Sequence, residues 1–168
     1  MLDTLAVENY RSLRRLVVPL RRCTVVTGPN GSGKSSLYRT LRLLADSARN
    51  GAVTALAREG GLASTMWAWS GRKGPVSLKL GFAGADFGYA MDLGLPQPGQ
   101  TAFGLDPEVK SEAVWAGALL RPATLLAERS GPGVRVRDAD GGWIRTATAL
   151  RPFDSMLSEL AVPKVAPE

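Results

Sequence analysis

The chain has 168 residues, 45% of them hydrophobic, and a net charge of +6 from 21 Lys or Arg against 15 Asp or Glu; that is enough for one domain with a sizeable core. It has no histidine, which removes histidine-based acid–base chemistry and makes a zinc site improbable, and its single cysteine forbids an internal disulfide. No stretch approaches the ~20 apolar residues of a membrane span, and no hydrophobic signal core is visible near Asp3 and Glu8, so a reducing cytoplasm is the expected setting. The charge is uneven: residues 1–58 hold ten basic residues against Asp3, Glu8 and Asp46, a local +7, and the remainder balances to −1. That excess suits phosphates, nucleic acid or solubility, but no interleaved aromatics or nucleic-acid motif accompany it.

Residues 2–8 and 15–20 predict two short strands joined by Asn9-Tyr10-Arg11-Ser12, with Pro19 at an edge or strand end. Cys23-Thr24-Val25-Val26-Thr27 predicts a third strand, Cys23 being a buried structural thiol. It leads into Gly28-Pro29-Asn30-Gly31-Ser32-Gly33-Lys34-Ser35, a complete G-x-x-x-x-G-K-[ST] phosphate-binding (Walker A) loop. Gly28, Gly31 and Gly33 let the backbone turn its N–H groups toward phosphate oxygens. The following helix N-terminus adds about half a positive charge. In ATP, Lys34 is expected at the β- and γ-phosphates, Ser35 on Mg2+ and Ser36 at the α-phosphate.

Leu37, Leu41, Leu44 and Ala48 give a helix from Lys34 to about Ala48 one core face, and Asn50-Gly51 stops it. A second short helix is expected over Ala52 to about Arg58, ended by Gly60-Gly61; Trp67 and Trp69 read as local packing. From about 76 to 146 the texture changes to short antiparallel strands: Val76–Leu80, Phe87–Leu95, Glu112–Leu120, Thr124–Glu128, Val134–Arg137 and Trp143–Thr146, separated by Gly and Pro clusters. Asp138-Ala139-Asp140-Gly141-Gly142 reads as a hairpin turn in preference to a calcium loop, whose further ligand spacing is missing. A short helix over Phe153–Leu160 precedes a frayed Pro-containing tail.

The segments Leu5-Ala6-Val7-Glu8-Asn9-Tyr10-Arg11-Ser12-Leu13 and Thr24 through Leu37 resemble the N-terminus of predicted AAA-type ATPases of the RecF, SMC and OLD-nuclease type, whose heads are ABC-like. Gly60-Gly61-Leu62-Ala63-Ser64, Asp86-Phe87-Gly88-Tyr89 and Pro152 through Leu157 extend the likeness more loosely to a bacterial subgroup of such ATPases. The resemblance implies an α/β P-loop NTPase fold, the first lobe of an ABC-like head with an antiparallel β subdomain. It implies ATP and Mg2+ as ligands, a second copy of the head as partner, hydrolysis between two heads, and DNA repair or phage defence as the process, with DNA among the partners. It also brings Arg11 near the phosphates, against a solvated surface arginine as the alternative. For Tyr10, core packing is preferred to stacking on adenine.

The departures bear on catalysis. The second acidic motif, four apolar residues and Asp-Glu, is missing; Thr124-Leu125-Leu126-Ala127-Glu128 imitates it without the Asp. The Leu-Ser-Gly-Gly signature is absent, Leu157-Ser158-Glu159-Leu160 not being it; the switch histidine is absent too, and Gln97 and Gln100 do not identify a Q-loop. In such ATPases these elements lie in the C-terminal half, so residues 1–168 are expected to be an N-terminal lobe with no assignable catalytic residue and negligible activity alone. The rival readings are the nucleotide-binding subunit of an ABC transporter, a small-molecule kinase, and a non-catalytic nucleotide-binding interaction module.

Overall fold

The computed structural model describes residues 1–67, 76–96, 106–147 and 149–159. Trp69, Gln97, Gln100 and the tail beyond 159 lie outside the described residues. Two N-terminal strands, β1 (Leu2–Tyr10) and β2 (Leu13–Pro19), form a hairpin. Three helices follow: α1 (Lys34–Asn50), α2 (Ala52–Arg58) and the single turn α3 (Leu62–Thr65). Six strands then run to residue 145: β3 (Leu78–Gly84), β4 (Phe87–Gly94), β5 (Glu108–Ala116), β6 (Leu125–Ser130), β7 (Gly133–Arg137) and β8 (Trp143–Arg145). A last turn of helix, α4 (Met156–Glu159), packs against α1.

All eight strands join one antiparallel sheet in the order β2-β1-β3-β4-β5-β6-β7-β8. The antiparallel section expected over about 76–146 forms one continuous sheet with β1 and β2. The reason is the side-chain period of two. The register aligns Leu5, Phe82, Tyr89, Val114, Ala127 and Val136 in one row across six strands. The opposite face carries Ala6, Gly81, Ala90, Ala113, Glu128 and Arg135 in the adjacent row. The first face buries Leu5, Val7, Leu80, Tyr89 and Met91 against Leu37, Leu43 and Leu44 of α1 and Leu56 of α2. Each such leucine contributes about 1.5–3 kcal/mol of transfer free energy.

Helix α1 begins at Lys34 and runs 17 residues, ending where Gly51 takes φ 82. Its buried stripe is Leu37, Thr40, Leu43, Leu44 and Ser47, so Leu41 and Ala48 sit at the edge of the contact. The Asp138–Gly142 turn joins β7 to β8, with Gly141 at φ 81 and the Gly142 N–H donating to Asp138 Oδ1 at 2.5 Å.

The expected third strand does not form. Residues 21–32 are exposed throughout, Val25 by 78%, and Cys23 is an exposed thiol where burial was expected. Among the described residues no strand lies beside this segment. β-Branched residues favour a strand only where a neighbour supplies backbone partners and covers a face.

Candidate functional site

The 28–35 loop wraps the N-terminal end of α1. Gly28, Gly31 and Gly33 have φ of 152°, 82° and 99°. Gly33 is the N-cap of α1, and no side chain caps the helix. The first intrahelical bond runs from the Leu37 N–H to the Gly33 carbonyl at 2.9 Å, so the N–H groups of the preceding turn point out of the helix without helical acceptors. A Cβ on Gly33 would meet Leu13 Cδ2 at 2.9 Å and Ser12 Oγ at 3.2 Å: the β1–β2 turn packs directly beneath the loop.

Lys34 lies along the loop, its Nζ donating to the carbonyls of Gly28 at 2.6 Å and Pro29 at 2.7 Å. Its charge therefore sits over the loop's own turn. Ser35 is exposed. Ser36 is buried, and its Oγ lies 2.9 Å from Ser12 Oγ, a contact that ties the first turn of α1 to the β1–β2 turn. Pro29, Asn30 and Ser32 are exposed on the loop surface, with the Ser32 N–H donating to the Pro29 carbonyl at 3.3 Å. The loop thus combines outward N–H groups, a primary ammonium and an exposed hydroxyl at the positive end of a helix. That donor set fits phosphate oxygens and, at Ser35, a hard divalent cation.

Arg11 is neither on the loop nor a free surface arginine. It sits in the β1–β2 turn at φ 49, preceded by Asn9 at φ 62. Two non-glycine residues in the left-handed region within three positions mark a strained turn. Thr65 and Trp67 hold it in place: the Arg11 N–H donates to the Thr65 carbonyl at 2.7 Å, and the Trp67 N–H to the Asn9 carbonyl at 3.0 Å. The Arg11 Nη2 donates to Glu59 Oε2 at 2.6 Å and to the Glu59 carbonyl at 3.0 Å. Tyr10, fully buried, donates its hydroxyl to the same Oε2 at 3.2 Å, and Arg39 Nη1 is 3.6 Å from it. Burial raises the Tyr10 phenol above its ordinary value, and the Glu59 charge adds to that. Burial alone would lower the Arg11 guanidinium, but the hydrogen bonds with Tyr10 and Glu59 outweigh it and the net direction is upward. Sequence reasoning passed over Glu59; its signal is an acid directly before the Gly60-Gly61 that ends the α1–α2 unit.

A second polar cluster lies within the sheet. Glu112 and Arg129, both fully buried, pair at 3.0 Å across β5 and β6. Glu112 also accepts from the Tyr89 hydroxyl, the Ser155 hydroxyl at 2.6 Å and the Met156 N–H at 3.0 Å. Burial first, and then the Glu112 charge, pushes the Tyr89 phenol well above its ordinary value. Glu128 pairs with Arg135 in the β6–β7 hairpin, the Arg135 Nε donating to it at 2.6 Å, and Asp92 Oδ1 accepts from Ser77 at 2.8 Å. Asp86 is exposed in the β3–β4 turn. Among the described residues there is no group of three or more Cys, Asp or Glu side chains suited to a metal, and no helix long and apolar enough to cross a membrane.

A glycine loop bearing a lysine at the head of a helix, with that helix packed on a sheet, defines a domain of the P-loop nucleotide-binding class. Residues 23–141 match the family described as "AAA domain, putative AbiEii toxin, Type IV TA system". The match covers well over half of the chain, which belongs to this AAA family, a family of nucleotide-binding, ATPase-type domains with a P-loop fold. The antiparallel sheet is unusual beside the mostly parallel sheets of such domains. No curated protein matches the chain.

Proposed function

We propose that this chain binds Mg-ATP through Gly28–Ser36, as the first lobe of an ABC-like ATPase head of the RecF, SMC and OLD-nuclease type. The observation that carries the reading is the loop geometry. Three positive-φ glycines present backbone N–H groups at the head of α1, with the Lys34 amine laid along them. Bound nucleotide draws Lys34 off the carbonyls of Gly28 and Pro29 onto the β- and γ-phosphates, a charge-assisted exchange. Mg2+ supplies charge neutralisation at the phosphates, and the exposed Ser35 hydroxyl is its ligand on this chain. Ser36 serves the loop from below, through Ser12, more directly than it serves the α-phosphate.

Hydrolysis, on this reading, belongs to the parent enzyme and to paired heads. The family's description, a toxin of a Type IV TA system, sets a toxin–antitoxin context beside DNA repair and phage defence for that enzyme. Calorimetry with Mg-ATP tests the core of the proposal. The wild-type chain is expected to bind and Lys34→Ala to bind about ten- to a hundred-fold more weakly, the loss of one charge-assisted contact of ~1.5–3 kcal/mol. Equal affinity in the two would remove the loop from the function.

A further inference from the structure

We propose that Glu59 is a charge latch on the nucleotide site: its carboxylate holds Arg11, with Arg39 beside it, and the terminal phosphate of a bound triphosphate competes with it for Arg11. The inference rests on the Mg-ATP reading above and names a residue that the loop motif does not contain.

Two donors and a second cation converge on one oxygen. Glu59 Oε2 meets Arg11 Nη2 at 2.6 Å, the Tyr10 hydroxyl at 3.2 Å and Arg39 Nη1 at 3.6 Å. Two guanidinium groups share one carboxylate, so the cluster keeps a net positive charge while both cations are detained. The Glu59 side chain is only 10% exposed and Arg11 25%, so water screens this pair poorly. Arg11 still has unused hydrogen-bonding capacity: its Nη1 donates no hydrogen bond among the described residues.

The latch adjoins the loop through two short paths. Arg11 is followed by Ser12, whose Oγ touches Ser36 Oγ in the first turn of α1 and lies against Gly33. Arg39 is four residues beyond Ser35 on α1, about 6 Å along the helix axis. Glu59 itself is carried on the end of α2, and the backbone beyond it turns through Gly60 at φ 95 and Gly61 at φ 84. That double glycine lets the acid shift without dragging α3.

The electrostatics fix the sign of the effect. A carboxylate near a phosphate site repels the nucleotide and competes for its cations, so Glu59 lowers affinity. The γ-phosphate carries the extra charge that displaces Glu59, so the penalty falls on discrimination between ATP and ADP. Glu59→Gln keeps the shape and an acceptor oxygen but drops the charge.

The test is calorimetry with Mg-ATP and Mg-ADP on wild type, Glu59→Gln, Lys34→Ala, and Arg11→Ala in the Glu59→Gln background. Glu59→Gln is expected to bind ATP about fivefold more tightly and ADP within about twofold of wild type, with the gain erased by the added Arg11→Ala. A merely structural role would lower affinity for both nucleotides. Equal or weaker ATP binding by Glu59→Gln, with Lys34→Ala impaired, overturns the latch and leaves the Mg-ATP reading standing. Absence of binding by every protein, wild type included, overturns both. Should Glu59→Gln fail to fold, hydrogen exchange on wild type decides: ATP, and not ADP, is expected to speed exchange in the Gly60–Gly61 turn, and unchanged exchange overturns the latch.

Discussion

Glu112 on β5 and Arg129 on β6 stand directly opposite in the sheet register, both side chains fully buried, with Nη1 donating to Oε2 at 3.0 Å. Arg129 places three further donors on the carbonyls of Gly131 at 2.6 Å, Arg151 at 2.8 Å and Asp154. The pair therefore clasps residues 151–156 to the sheet and, through α4, supports α1. Removing one partner leaves the other charge buried and unpaired. Arg129→Met is expected to lose about 3–5 kcal/mol in chemical denaturation and to expose 151–156 to proteolysis. Replacing both residues with apolar ones is expected to recover much of the stability. A single substitution as mild as a surface change would show that the cluster is hydrated.

Tyr89 adds a pH signature. Its folded-state phenol is raised well above the ordinary value of 10.0, by burial and then by Glu112. A raised folded pKa means stability that is complete below the unfolded value and is lost as pH climbs from about 10 toward the folded value. Wild type is expected to lose stability more steeply than Tyr89→Phe above pH ~10, although the variant is weaker by about 1–3 kcal/mol near pH 8 for the lost hydrogen bond to a charged partner. Parallel pH profiles of the two proteins would contradict the assignment.

Gly33 is expected to be irreplaceable. Its φ of 99° disfavours any L side chain, and a Cβ there collides with Leu13 and Ser12. Gly33→Ala should destabilise the chain by more than ~1 kcal/mol, chiefly through left-handed strain, with Leu13 and Ser12 side chains having to give, and should impair Mg-ATP binding. Retained binding and an unchanged melting temperature would mean that the loop is more plastic than its geometry.

Val25 and Val26 provide the opposite case. They lie in the segment read as a third strand but are 78% and 46% exposed. Val25→Ser is expected to change stability by no more than ~0.5 kcal/mol in this chain, whereas Leu56→Ala, fully buried, should cost about 2–5 kcal/mol. A large loss at Val25 would show that the segment is covered in solution.

Catalysis by the isolated chain is expected to be negligible. Phosphoryl transfer to water needs a carboxylate that orients it, and Glu128 and Asp92 are committed to Arg135 and Ser77. Steady-state phosphate release should match that of Lys34→Ala; turnover well above it would make Glu128, then Asp86 and Asp92, the residues to substitute.

Local chemistry made much of this molecule legible from sequence. The loop needs glycines at set spacing because only they relieve positive φ, so Gly28, Gly31 and Gly33 announce it without any tertiary information. The leucine period in α1 and the alternation in β3–β8 follow from burying one face each, and their boundaries fell within a few residues of those observed. What depends on partners distant in sequence was decided only by the tertiary structure. Cys23–Thr27 has strand composition, but a strand exists only beside another, and none of the described residues supplies one. Glu112 and Arg129 look like ordinary polar positions until the register sets them opposite each other in a dry layer. Arg11 carries the same charge whether it faces phosphate, solvent or Glu59; the return of the chain after α2, 48 residues on, chose Glu59 because a half-buried guanidinium takes the nearest anion that water does not screen.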